Sequence, residues 1–273
     1  MLRYLYLSTS CSKDVNASKL LQFIKPFTTS TLADPPTTPT FSKCGLDVIL
    51  HVHDMNRRTF LEHAQYLYSV AFQNVSFFPL DVIPSSIAMG EEVPSVNSTA
   101  EPCAASPGLF NISTLKTNKG FQPIYKYIAF GGTFDRLHYG HKLLLAAAAL
   151  YTTDTLLVGV TGKEMIKNKT LSERIQDVDI RKENVRRFLG KIRNDLVLQI
   201  EIIHDCAGGT ELIPELEALI VSPETVKAVD VINEMRQTKY NLEPLASVVI
   251  PYVQAMDGRV LSSTELRLKG VPF

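Results

Sequence analysis

Phe130-Gly131-Gly132-Thr133-Phe134-Asp135-Arg136-Leu137-His138-Tyr139-Gly140-His141 joins an apolar, β-like run, Tyr125 to Phe130, to Lys142-Leu143-Leu144-Leu145-Ala146-Ala147-Ala148-Ala149-Leu150, a stretch rich in good helix formers. Glycines at a strand-to-helix turn let backbone N–H groups approach an anion, and the first helical turn adds unpaired donors and the positive end of the dipole. The junction is suited to phosphate. If the helix starts near Leu137, His138 and His141 share one face of its first turn and point into the same small volume. A lone histidine here would read as a cap or a packing residue. Gly-Gly-Thr, an aromatic, an acid and His-x-Gly-His together read as a site.

Working outward, β-like runs at Tyr125 to Phe130, Thr155 to Thr161, Gln199 to His204, Ala218 to Ser222 and Ser247 to Tyr252 alternate with helical patterns. The helices are expected at His138 to Tyr151, Leu171 to Leu189, Glu224 to Gln237 and Ser263 to Leu268. Such alternation predicts an α/β fold, a parallel five-stranded sheet with helices on both faces, whose ligands gather at the carboxyl ends of the strands. A smaller α/β N-terminal module precedes it: a buried strand at Leu46 to Val52, an amphipathic helix at Arg57 to Phe72 and a strand at Val75 to Ile83. Between them, Pro84 to Gly120 is rich in Pro, Ser, Thr, Asn and Gly and reads as a linker. The expected organisation is residues 1–83 as the N-terminal module of unknown role, 84–120 as linker and 121–273 as the chemistry-bearing domain.

Composition narrows the classes. Of 273 residues, 45% are hydrophobic and 21% charged, ordinary for a soluble globular chain. The formal net charge is zero, so no global field favours nucleic acid or an anionic membrane, and neither is expected as a partner. Cys11, Cys44, Cys103 and Cys206 are scattered, with neither zinc spacing nor a dense disulfide framework. No run approaches the roughly 18 apolar residues of a membrane span. The first 33 residues carry Arg3, Lys13, Lys19 and Lys25 against Asp14, a faint transit-peptide character with little arginine; a cytoplasmic location is expected, with mitochondrial as the alternative. His51 and His53 alternate onto one strand face but lack a third metal ligand, so no protein-held metal is expected. The Asn-x-Ser/Thr triplets at Asn74, Asn97 and Asn111 read as chance without a secretory signal.

After the second β-like run, Gly159-Val160-Thr161-Gly162-Lys163-Glu164 tempts toward a Walker loop but fails it, since Leu157 stands where the first glycine belongs and Glu164 where a magnesium-binding hydroxyl belongs. Lys163, Lys167 and Lys169 instead form a basic loop beside the junction, able to meet a phosphate as point charges. Near the C-terminus, Ser262-Ser263-Thr264-Glu265-Leu266-Arg267 places three hydroxyls before a helix. The plain reading is a cap at Thr264 or Ser263; the functional one is a second anion site in which Arg267 supplies forked charge.

Gly132-Thr133-Phe134-Asp135 with His138-Tyr139-Gly140-His141, closed by Ser262 to Arg267, resembles the nucleotidyltransferases that carry a HxGH motif, and within them the phosphopantetheine adenylyltransferases of eukaryotic and archaeal type. Val158-Gly159-Val160-Thr161, Val221-Ser222-Pro223-Glu224-Thr225 and Ile232-Asn233-Glu234-Met235-Arg236 are similar to later segments of that family, and the resemblance runs from about Ile124 to Gly270. It implies a Rossmann-like domain that transfers the adenylyl group of ATP to 4′-phosphopantetheine, giving dephospho-coenzyme A and pyrophosphate, with Mg²⁺ bound mainly through the ATP phosphates. Thr133 and its neighbours Gly131, Gly132 and Phe134 would hold the acceptor. His141 and a loop lysine, Lys167 foremost with Lys163 and Lys169, would stabilise charge at the α-phosphorus. His138, Ser262, Ser263, Thr264 and Arg267 would hold the triphosphate, with Arg236 in the ATP-binding set. Some relatives carry a fused dephospho-coenzyme A kinase; no phosphate loop for one follows here, so a monofunctional enzyme working with a separate kinase, and with other enzymes of coenzyme A synthesis, is expected. The rivals are a cytidylyltransferase, whose usual closing Arg-Thr-Glu-Gly-Ile-Ser-Thr run is replaced here by Arg259-Val260-Leu261-Ser262-Ser263-Thr264, and a nucleotide-binding scaffold, which would need neither intact histidine.

Overall fold

The computed structural model describes residues 3–28, 45–54, 56–75, 78–85 and 125–270. The chain divides into two compact units: residues 1–121 with 253–261 and 270–273, and residues 122–252 with 262–269.

In the first unit, β1 (Arg3–Ser8), α1 (Lys13–Thr28), β2 (Leu46–His51), α2 (Arg57–Asn74) and β3 (Leu80–Ser85) build a parallel sheet in the order β1-β2-β3. Both crossovers step the same way across the sheet, so their right-handedness puts α1 and α2 on one face. Leu5, Leu7, Val48, Leu50, Leu80 and Val82 alternate along the strands and are buried, as are Leu20 and Ile24 one turn apart on α1. Within the first 33 residues, whose charge has a faint transit-peptide character, Arg3–Ser8 is a strand and Lys13–Thr28 a helix; the period-two alternation of Leu5 and Leu7 fits the strand. The strand expected at Val75 to Ile83 lies at Leu80–Ser85. Of the linker expected at 84–120, Pro84 and Ser85 belong to β3, and residues 86–120 lie outside the described residues. Val253–Leu261 belongs to this unit as well. It forms a small hairpin through the Gln254–Val260 bridge, the Met256 N–H donates to Gln73 Oε1 at 3.1 Å, and the Arg259 guanidinium lies 5.5 Å from the Phe72 ring.

The second unit runs β4 (Tyr125–Gly132), α3 (Tyr139–Tyr151), β5 (Thr152–Thr161), α4 (Lys163–Ile166), α5 (Val178–Ile192), β6 (Val197–Ile203), β7 (Ala218–Val221), α6 (Val226–Tyr240), β8 (Ala246–Val249) and α7 (Ser263–Leu268). The sheet order is β6-β5-β4-β7-β8, parallel throughout. The chain steps outward one way from β4 through β5 to β6 and the other way through β7 to β8, so right-handed crossovers place α3 and α5 on one face and α6 on the other. Both faces are packed: Ala129, Leu157, Leu219 and Val221 cluster with Val229 and Ile232 of α6, while Ile128, Leu156, Val158 and Ile220 are buried with the opposite set of side chains. Ala146 to Ala149 are at most 2% exposed, small side chains that let α3 lie deep against its neighbours.

The helix expected at Leu171 to Leu189 is two pieces. Ser172–Arg174 is a short 3₁₀ turn after Leu171, whose φ is +53°, and α5 begins at Val178 because the Asp177 side chain caps the Asp179 N–H. The strand expected at Ser247 to Tyr252 ends at Val249, two residues before Pro251, which has no N–H to extend the ladder. No helix among the described residues is long and apolar enough to cross a membrane.

Candidate active site

The carboxyl ends of β4 and β5 lie in register, Gly131 beside Gly159 and Gly132 beside Val160. Glycine is needed here for close approach. A Cβ on Gly132 would stand 2.8 Å from the Phe134 ring, and one on Gly159 would stand 2.7 Å from Ile203 Cγ2. Beyond Gly132 the chain turns sharply, with Phe134 at φ +52° and Arg136 at φ +47°, left-handed conformations that cost non-glycine residues free energy and persist only where the surroundings enforce them. The enforcement is visible. Phe134 is fully buried, edge-on to Phe130 at 5.6 Å and 5.4 Å from the His141 ring. The Arg136 N–H donates to Gln176 Oε1 at 2.8 Å. Phe134, expected among substrate-contacting groups, is thus the wall that seats His141.

His138 caps α3, and its ring stacks on that of His141 with centroids 3.8 Å apart. The His138 backbone N–H donates to His141 Nδ1 at 3.4 Å, which leaves the proton of a neutral His141 on Nε2. Burial lowers both imidazoles. His141 falls to about 4, with Asp135 opposing the shift and Lys169 adding to it, and His138 falls well below its ordinary value through burial, then His141 and Lys142. Near neutral pH this is a stacked pair of neutral rings, with His141 presenting an N–H.

Asp135 is fully buried and organises the rest. Its Oδ2 receives Arg267 Nη1 at 2.7 Å, its Oδ1 receives the Gln176 N–H at 3.0 Å, and Arg136 Nη1 lies 3.2 Å away. Arg267, 2% exposed, also donates through Nε to the Thr170 carbonyl at 3.1 Å and through Nη2 to Thr264 Oγ1 at 2.9 Å. Ser263 Oγ donates to the Asp135 carbonyl at 2.8 Å. The histidine junction, the basic loop and α7 are therefore stapled around one carboxylate. Arg267, expected as a phosphate fork, already gives at least three of its five N–H groups to this staple, so its task is to position the hydroxyls of α7. The cap of α7 is Ser262, whose Oγ accepts the Glu265 N–H at 3.2 Å, rather than Ser263 or Thr264.

The loop lysines part company. Lys163 opens α4 and is exposed, and Lys167 pairs with Glu164. Lys169, exposed like the other two, adjoins Thr170, which is tied to Arg267, and its positive charge helps lower the His141 pKa. Arg236 is elsewhere in function: fully buried, it donates to the carbonyls of Thr210, Ile213 and Glu243 at 2.7–2.8 Å, binding α6 to the loop after β6, and no phosphate role is left to it. Among the described residues no group of three or more His, Cys, Asp or Glu is placed to hold a metal ion.

The sequence assigned no role to Asp135, Gln176, Thr161 or Arg181. Asp135 carried a usable signal, being the one acid inside a run of donors. Arg181 carried none, because its partners Thr133 and Thr161 lie 48 and 20 residues away.

A cytidylyltransferase-like family model matches residues 129–269. The phosphopantetheine adenylyltransferase of Pyrococcus furiosus is 41% identical over 145 residues, 52% of this chain and 88% of the archaeal protein. That of Saccharomyces cerevisiae is 37% identical over 146 residues, 51% of this chain but 47% of the yeast protein, so the matched region spans about half the yeast relative's length. A solved protein of unknown function from Archaeoglobus fulgidus is 29% identical, covering 45% of this chain and 88% of its own, with a TM-score of 0.39. By the match over residues 129–269 and the archaeal relative that is covered almost whole, the chain belongs to the cytidylyltransferase-like family and, within it, to the phosphopantetheine adenylyltransferases.

Proposed function

We propose that this chain transfers the adenylyl group of ATP to 4′-phosphopantetheine. An oxygen of the acceptor phosphate attacks the α-phosphorus, the bond from that phosphorus to the α–β bridging oxygen breaks, and pyrophosphate leaves with dephospho-coenzyme A as the second product. A phosphate monoester has a second pKa of about 6 and is mostly dianionic near neutral pH, so the nucleophile needs no protein base. Positioning and charge stabilisation carry the reaction.

The observation that carries this reading is the neutral histidine pair. With its pKa lowered to about 4, His141 is a poor base near neutral pH, yet its Nε2–H is a donor at the amino end of α3, where developing phosphate charge gains most. In this reading Thr133, Gly131 and Gly132 hold the acceptor phosphate, and Lys169 supplies the loop charge. His138, Ser262, Ser263 and Thr264 face the triphosphate. Mg²⁺ bound to the ATP phosphates would neutralise part of their charge; Asp135, the acid of the junction, is committed to two arginines and would not serve as its ligand. In this reading the enzyme works in the cytoplasm, with the mitochondrion as the alternative.

The test is pyrophosphate release by the purified full chain with Mg²⁺, each nucleoside triphosphate and either 4′-phosphopantetheine or phosphoethanolamine. Release with ATP and phosphopantetheine is expected. Release with CTP and phosphoethanolamine, and none with ATP and phosphopantetheine, would make it a cytidylyltransferase.

A further inference from the structure

The acceptor subsite depends on which way the Thr133 hydroxyl donates, and a buried arginine beneath it decides the direction. Arg181, on the first turn of α5, is 1% exposed. Its Nη1 donates to the carbonyl of Thr133 at 2.8 Å and to that of Thr161 at 3.0 Å, its Nη2 to the Thr161 carbonyl at 3.0 Å, and its Nε to the Gln176 carbonyl at 2.9 Å. One guanidinium thereby joins the carboxyl ends of β4 and β5 to α5. The same Nη1 lies 3.5 Å from Thr161 Oγ1, and Thr161 Oγ1 lies 3.2 Å from Thr133 Oγ1.

The order of donors follows from chemistry. Nη1 has two N–H groups, which go to the two carbonyls, and a guanidinium has no acceptor, so the Thr161 O–H cannot donate toward Arg181. The Thr161 proton is then directed to Thr133 Oγ1, and the Thr133 proton is released to point outward. Thr161 is 6% exposed and Arg181 nearly closed to water, so the charge polarises this short chain more than it would in solvent.

Resting on the adenylyl-transfer reading, we infer that Arg181 and Thr161 are positioning residues of the acceptor subsite: together they orient the Thr133 O–H as a donor to the phosphate-monoester oxygens of the acceptor. Neither residue need touch a substrate.

Steady-state kinetics on the full chain, varying one substrate at saturating levels of the other, tests this. Wild-type pyrophosphate release from ATP and phosphopantetheine is established first; its absence overturns the reading of the reaction, before any variant is compared. Thr161→Val keeps shape and loses the hydroxyl. It should raise the KM for phosphopantetheine about tenfold, the scale of one charge-polarised hydrogen bond, with the KM for ATP changed less than twofold. Thr161→Ser should restore the wild-type values. In a Thr133→Val background Thr161→Val should add nothing, because the hydroxyl it orients is gone. Arg181→Gln, which can accept as well as donate, should show the same acceptor-side split when it folds, and the Thr161 variants decide the matter if it does not. An equal rise in both KM values, an unchanged Thr161→Val enzyme, or an equal Thr161→Val penalty with and without Thr133 would overturn the inference.

Discussion

At the carboxyl ends of β4 and β5 the chain presents Gly131, Thr133 and Thr161, whereas in the N-terminal sheet Ser8, His51 and Ser85 occupy one register row at the ends of β1, β2 and β3. Both sheets are parallel, both are wound by helical crossovers, and each unit has a histidine that burial pushes down to about 4, His51 at the end of β2 and His141 in the first turn of α3. Their surroundings differ. His141 is oriented by a backbone donor, stacked on a second histidine and set beside a stapled ring of arginines, hydroxyls and a buried carboxylate. His51 stacks on Tyr6 at 5.9 Å, and neither ring nitrogen has a hydrogen-bond partner among the described residues. A parallel sheet supplies the place for a site; the glycines, the left-handed turn and the Asp135 staple supply the site itself.

The sharpest way to break this contrast is to remove the staple. Asp135→Asn leaves Arg267 buried without its counter-charge and should destabilise the C-terminal unit by about 3–5 kcal/mol in denaturant titration. A loss below 1 kcal/mol would mean that the three segments hold their positions without it. Next in size is His141→Ala, for which kcat should fall by roughly 10²-fold, the scale of a lost transition-state donor, while His51→Ala turns over normally. Equal effects would erase the distinction between the two sheets.

Lys169→Ala should cost about tenfold in kcat/KM as a charge-assisted contact is lost, against little change for Lys167→Ala. The reverse order would return the loop role to Lys167.

The smallest effect is on stability against pH. His51 has a folded pKa of about 4 against 6.5 unperturbed, so between those values the unfolded chain holds a proton that the native state lacks. Stability therefore falls as pH drops through that window. His51→Phe removes two unpartnered buried nitrogens and this proton uptake, and should hold or raise the Tm at pH 7 with a shallower decline toward pH 4. A steeper decline would show that the His51 ring does something the N-terminal sheet needs.

How far the sequence led depends on the range of the interaction. Gly132, Thr133, His138 and His141 were legible because the chemistry lies within one strand-to-helix turn, and the five-strand alternation was legible because each element writes its own periodicity. The roles of Arg267 and Arg236 were not. Both look like phosphate ligands in sequence, and only their fold partners, Asp135 for one and three carbonyls for the other, show them to be internal fasteners. β1 was hidden by its few charges and hydroxyls, since six residues of alternation are a weak signal beside a leader-like composition.

The account rests most directly on which bond is made at the histidine junction. Full-length protein incubated with ATP labelled at the α-phosphorus, Mg²⁺ and 4′-phosphopantetheine should move the label into dephospho-coenzyme A in step with pyrophosphate release, and His141→Ala should slow that transfer by roughly 10²-fold. Label that stays in ATP or appears only as free AMP, or a folded His141→Ala variant that transfers it at the wild-type rate, would contradict the account.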